Sequence, residues 1–189
     1  RLQGDWSSDV CSSDLLPSTL DVRKAAGRGV SVRGTLKPLD LQRFRSLLAD
    51  DDGAIQAELS FTRDEENRYI IRLALTAQVV VTCQRCLERL PITLACENTL
   101  GVVWTDEQAA HLPRHLEPLI VEEEACRLWE VVEDELILAL PPFSYHDTEE
   151  CQQILSRFNA DQAPPVETVA VDKPNPFNVL AQLKPGSKT

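Results

Sequence analysis

Cys83-Gln84-Arg85-Cys86 sets two thiols two residues apart. Thiolates at that spacing can share one tetrahedral metal at Zn–S distances of about 2.3 Å. Such a site needs two more ligands. His146 and Cys151, spaced H-x-x-x-x-C, lie some 60 residues further on. Cys83, Cys86, His146 and Cys151 together form a Cys₃His set suited to structural zinc, with no other cofactor expected. A shared ion would tie the first pair to the C-terminal part of the chain. Separation of His146 from Cys83 by more than about 10 Å would exclude it. Two other readings of the pair stay open. Cys83 continues the apolar parity of its strand and suits a plain core thiol. Cys83 and Cys86 also suit a redox couple, although that motif belongs at a helix start in a βαβ context. A zinc deaminase is excluded, because its H-x-E precedes P-C-x-x-C and no histidine precedes Cys83.

The remaining reactive types form no such set. Cys96 lies on the apolar parity of its strand, and Cys126 lies near a helix start, so both read as structural. His111 and His115 are separated by Pro113 and form no H-E-x-x-H. An RNA-processing enzyme, zinc-dependent or Mg²⁺-dependent, is the alternative function, and Glu122-Glu123-Glu124 and Glu133-Asp134-Glu135 are the groups that could bind its Mg²⁺. They lack a partner His, Lys or Gly-rich loop and read as a solvated helix face. No phosphate-binding or nucleophile-elbow motif is present, and no small-molecule substrate or enzymatic activity is expected. Arg23, Lys24, Arg28, Arg33, Lys37, Arg43 and Arg45 are the candidate nucleic-acid-binding residues. Residues 21–48 carry these seven bases against Asp21 and Asp40. Only Phe44 accompanies them as an aromatic, so contact with RNA would be electrostatic rather than base-reading.

The elements that must position these groups follow from periodicity. Alternation marks strands at Val30–Leu36, Ala54–Thr62, Arg68–Thr82 and Glu88–Trp104. Long alternating runs joined by short turns predict an antiparallel meander, and the fold class is α+β with a few helices packed on the sheet. Pro38 opens a helix whose stripe is Leu41, Phe44, Leu47 and Leu48. Residues 105–119 read as loop, and Leu119-Ile120-Val121 as a short strand. A helix spans about Ala125–Leu140 and stops at Pro141-Pro142. Asp147 or Thr148 caps a short helix carrying Cys151. Residues 16–160 form one domain. Residues 161–189 form a Pro-containing linker and an extended tail, in which Phe177, Leu180 and Leu183 share a side. Residues 1–15 are expected to be disordered and non-native, since Asp5 through Leu15 looks like translated sequencing adapter; Cys11 is set aside with them.

The 189 residues carry 30 acids against 19 bases, a net charge of −11. Residues 97–150 hold fourteen acids against Arg114 and Arg127, a net of −12. A surface tracking phosphates throughout would be basic, so that class is disfavoured. No apolar run reaches the roughly 18–20 residues of a spanning helix, and no signal peptide is visible. Six cysteines are too few for a disulfide-stapled domain, which points to a reducing, cytoplasmic setting.

The order of Cys83-Gln84-Arg85-Cys86, Val132 through Pro141, His146-Asp147 leading to Cys151, and Lys173-Pro174-Asn175-Pro176-Phe177 resembles the bacterial YceD family. The Leu16-Pro17 start followed by Leu20-Asp21 also fits, so the likeness covers residues 16–185. It implies a role in synthesis, processing or stability of 23S ribosomal RNA, hence ribosome biogenesis. The implied partners are precursor ribosomal RNA or ribosomal proteins. It supplies no catalytic residue.

Overall fold

The computed structural model describes residues 10–122 and 125–154. In chain order the strands are β1 (Val10–Leu15), β2 (Thr19–Leu20), β3 (Ser31–Leu36), β4 (Gly53–Arg63), β5 (Tyr69–Thr82), β6 (Arg89–Val103), β7 (Glu117–Ile120) and β8 (Cys126–Arg127). The helices are α1 (Val22–Arg28), α2 (Gln42–Arg45), α3 (Asp106–Ala110) and α4 (Leu128–Ala139). Residues 149–154 are also helical. One six-stranded sheet has the order β1-β3-β4-β5-β6-β7. Its four central strands are antiparallel neighbours, as the alternation predicts.

Alternation puts every second residue of the central strands into one core. Ile55, Leu59, Phe61, Ile71, Leu75 and Leu100 are buried there with Phe44, Leu128, Val132 and Leu136 from the helices. The opposite face exposes Arg33, Gln56, Glu58, Arg72, Thr76 and Glu97. Local signals hold the ends. Asp21 caps α1 by accepting from the Lys24 N–H at 3.0 Å, and Gly29 closes it at φ 65°. Asp64 accepts from the N–H groups of Glu66 and Arg68, turning β4 into β5. Asn67 takes φ 66° in that turn, a conformation asparagine tolerates.

Four expectations change. Val10–Leu15 is not disordered but runs parallel to β3, with Val10 opposite Ser31 and Leu15 opposite Thr35. Backbone pairing along an open sheet edge requires no side-chain periodicity, so nothing in the pattern signals it. The helix after Pro38 is cut short. A 3-10 turn at Pro38–Asp40 gives way at Leu41, whose extended backbone leaves only Gln42–Arg45 as α2. The loop after Trp104 contains α3, which Thr105 caps by accepting from Gln108 N–H at 3.3 Å. It ends in β7, which pairs parallel with β6 through Leu100–Val103. The long helix starts only at Leu128, because Leu20 and Thr19 pair with Cys126 and Arg127. The linker and tail at 161–189 lie outside the described residues. Among the described residues, no helix is long and apolar enough to cross a membrane.

Candidate metal centre

β5 and β6 are paired in register from Tyr69 opposite Val102 to Thr82 opposite Arg89. The six residues between Thr82 and Arg89 must reverse the chain. They do so with the Cys83 N–H donating to the Glu88 carbonyl at 2.8 Å and the Leu87 N–H donating to the Cys83 carbonyl at 2.9 Å. Leu87 sits at φ 63° to close the turn. Cys83 and Cys86 thereby stand at the end of the sheet.

The chain returns to this place after α4. The Gln84 N–H donates to the Ser144 carbonyl at 3.0 Å, so the segment after Pro142 runs alongside the turn. Thr148, the predicted alternative to Asp147, is the cap: its Oγ1 accepts from the Cys151 N–H at 3.4 Å. Cys151 is thus aimed back at the turn and is buried, as is Cys83.

The ligand atoms of Cys83, Cys86, His146 and Cys151 lie within 4.8 Å of one another. The Sγ atoms of Cys83 and Cys151 are 3.7 Å apart. A tetrahedron with arms of about 2.3 Å has edges of about 3.8 Å, so this pair already has the spacing of two ligands on one zinc. His146 Nδ1 is 3.2 Å from Cys86 Sγ. Its Nε2 is 3.1 Å from the Arg89 carbonyl oxygen, which can only accept. The proton therefore belongs on Nε2, and Nδ1 turns its lone pair to the sulfurs, the tautomer a ligating histidine needs. Arg85 Nη1 donates to Cys151 Sγ at 3.9 Å, and its guanidinium covers the Tyr145 ring at 4.8 Å. Three thiolates around a divalent ion keep one net negative charge, which Arg85 offsets.

Electrostatics agree with a cation. Burial pushes the Cys83 thiol up. The N–H groups of Cys86, Arg85 and His146, with the Cys86 thiol, outweigh that and bring it to about 5. Burial raises Cys86, the Glu88 N–H pulls it partly back, and the sulfurs of Cys83 and Cys151 raise it further. Ionised together, the thiols repel one another; a metal ion removes that conflict. The donor set thus fits a metal ion.

The other singled-out residues do not join this site. Burial raises Cys126 to about 11, with Glu130 adding to the rise. Burial and then Glu135 raise Cys96. His111 lies at the end of α3, with Nδ1 2.6 Å from the Glu107 carbonyl oxygen. The acidic triplet on α4 is not a solvated face: Glu133 is 6 % exposed and Glu135 9 %. Glu133 accepts from the N–H groups of Arg43 at 2.6 Å and Phe44 at 3.1 Å, and from Arg43 Nε at 2.8 Å. Glu135 accepts from Asn98 Nδ2 at 3.2 Å. Glu123 and Glu124 lie outside the described residues.

The seven basic candidates sit on different elements. Arg33 points from β3 away from the core, while Arg23, Lys24 and Arg28 ride on α1 and Arg43 and Arg45 on α2. Four are in ion pairs: Lys24 with Asp21, Arg33 with Glu58, Arg43 with Glu133 and Asp134, and Arg45 with Asp51. Arg23 covers the Trp104 ring at 4.2 Å. Arg28 and Lys37 are exposed. The residues that sequence reasoning missed at the metal centre are Arg85 and Tyr145. Arg85 lies inside the C-x-x-C itself, and Tyr145 directly precedes His146.

A family model described as large ribosomal RNA subunit accumulation protein YceD matches residues 71–184, a stretch holding all four candidate ligands. The large ribosomal RNA subunit accumulation protein YceD of Haemophilus influenzae is 35% identical over 170 residues, covering 89% of this chain and 96% of that protein. The chain belongs to the YceD family. All of the β5–β6 hairpin but the first two residues of β5, and all of α4, fall inside the stretch matched by the YceD family model, whereas β1 to β4 precede it. No solved structure matches.

Proposed function

We propose that the chain is a non-enzymatic ribosome-biogenesis factor that supports the accumulation of 23S ribosomal RNA through its synthesis, processing or stability. The observation that carries this reading is membership of a family named for accumulation of the large ribosomal RNA subunit. In this reading the chain works in the cytoplasm, with a structural zinc at Cys83, Cys86, His146 and Cys151. Four protein ligands fill a tetrahedron and leave no position for a reacting water, which is the arrangement of structural rather than catalytic zinc. The ion would clip the β5–β6 turn to the segment after α4, and its binding energy would become folding energy.

The α4 carboxylates support the same reading. Magnesium-assisted cleavage needs carboxylates converging on an open site. Glu133 instead spends its oxygens on α2, and Glu135 on Asn98. The test is in two parts. Cells depleted of the protein should lose 23S relative to 16S ribosomal RNA, and wild type should restore it where Cys83→Ser/Cys86→Ser does not. Purified chain with precursor 23S RNA and Mg²⁺ should leave the RNA intact. Specific cleavage that disappears in Glu133→Gln would replace this reading with an RNA-processing enzyme.

A further inference from the structure

Leu87 is 76 % exposed at the tip of the cysteine turn. It also sits at φ 63°, where glycine is the favoured residue. A large apolar side chain in a conformation that disfavours it, with nothing of its own core to cover it, marks a place shaped for something else. The segment bonded to the turn adds two more exposed apolar side chains, Phe143 at 67 % and Tyr145 at 43 %, one residue apart and alternating with Ser144, whose carbonyl accepts from Gln84. A metal ion at Cys83, Cys86, His146 and Cys151 would hold both segments in place.

The charges around this apolar rim are mostly carboxylates, seven against three arginines. Asp50–Asp52, Glu88, Asp147, Glu149 and Glu150 stand at this end of the sheet with Arg45, Arg85 and Arg89. All three arginines are engaged locally: Arg45 with Asp51, Arg89 with Asp50 and Asp52, and Arg85 with the Tyr145 ring and Cys151. Phosphates of RNA or of a lipid surface would be repelled by the surplus of carboxylates. A second copy would bring like charge to like.

We propose that the rim formed by Leu87, Phe143 and Tyr145 is a docking surface for a Lys/Arg-rich segment of a partner protein, one that also carries apolar side chains. The apolar groups anchor it, and the ring of carboxylates steers it and selects against acidic partners. The inference goes beyond the ribosomal reading and does not depend on it.

The experiment uses the purified full chain and three fluorescent probes: a Lys/Arg/Leu peptide, the same peptide with Leu changed to Ser, and a single-stranded RNA oligonucleotide. Wild type should bind the first peptide best and lose it as salt rises. Leu87→Gly combined with Phe143→Ser should weaken it about tenfold. Both changes are at exposed positions, and glycine suits the backbone at 87, so the fold survives them. The rim variant should lose nothing further with the Ser peptide, because both changes delete the same contact. Glu97→Lys, on the outer sheet face, should bind as wild type does. Binding of RNA in preference to the peptide would overturn the proposal. So would failure to bind the Leu peptide, equal binding by the rim variant, or self-association that the rim variant abolishes.

Discussion

Among single residues, the ones that converge are those whose chemistry is specific. Cys83, Cys86, His146 and Cys151 were legible because thiols and imidazole at metal-ligand spacing are uncommon for any other purpose. Glu133 and Glu135 were not legible. Charge in a sequence argues for exposure, and their partners, the Arg43 and Phe44 N–H groups and Asn98, come from distant elements. Glu135 carries a pH prediction. Burial raises its pKa above 4.5; the Asn98 amide pulls it down in part, and Glu117 and Asp134 push it up. An acid with a raised folded pKa binds its proton more tightly folded than unfolded. Its ionisation therefore costs stability, and the cost grows as pH rises from the unfolded value through the folded one. Glu135→Gln keeps an acceptor for Asn98 and has no charge to bury. It should be more stable than wild type at neutral pH in urea unfolding, and the difference should vanish below about pH 4. Equal stability at both pH values would mean that the buried charge is fully compensated.

At the scale of elements, alternation was enough to find the four central strands and their antiparallel order. It missed β1, which pairs in parallel with β3, and it placed the short strand at the other edge two residues late, at Leu119–Val121 where β7 runs Glu117–Ile120. It also overran α2, because the stripe Leu41, Phe44 and Leu47 is helical in spacing while the backbone at Leu41 is extended. Gly34 is where the β1 edge depends on a missing side chain. A Cβ there would lie 2.6 Å from the Leu16 Cα, and Leu16 is fully buried. Gly34→Val should push the chain off β3 at a cost of about 1–3 kcal/mol. Hydrogen exchange should then show lost protection around Leu15 and Leu16 while β5 and β6 keep theirs. Unchanged protection would show that the edge tolerates the extra bulk. The cysteine turn belongs to this scale too. Cys83 and Cys86 reach the metal centre because a long, in-register hairpin delivers them to the end of the sheet, and Thr148 turns Cys151 toward them.

For the whole molecule, the divided charge seen in the sequence is partly spent inside the fold. Seven bases in residues 21–48 would give a salt slope near −5 to −6 if all met phosphates. Ion pairs already engage Lys24, Arg33, Arg43 and Arg45. With Arg23, Arg28 and Lys37 as the remaining contacts, a plot of log K against log salt for RNA should slope at about −2 to −3. Fluorescence anisotropy over a salt series measures it, and a slope near −6 would mean that the ion pairs open on RNA. The candidate ligand set brings together two regions that lie some 60 residues apart in sequence, and a metal ion held there would clip this end of the molecule. The most direct test is elemental analysis of the purified, reduced full chain, alongside Cys86→Ser and His146→Ala. Stoichiometric zinc is expected in wild type, with little in either variant, and a chelator should lower the thermal midpoint of wild type alone. Wild-type protein that carries no metal, takes up none when zinc is added and melts at the same temperature with or without chelator would contradict it.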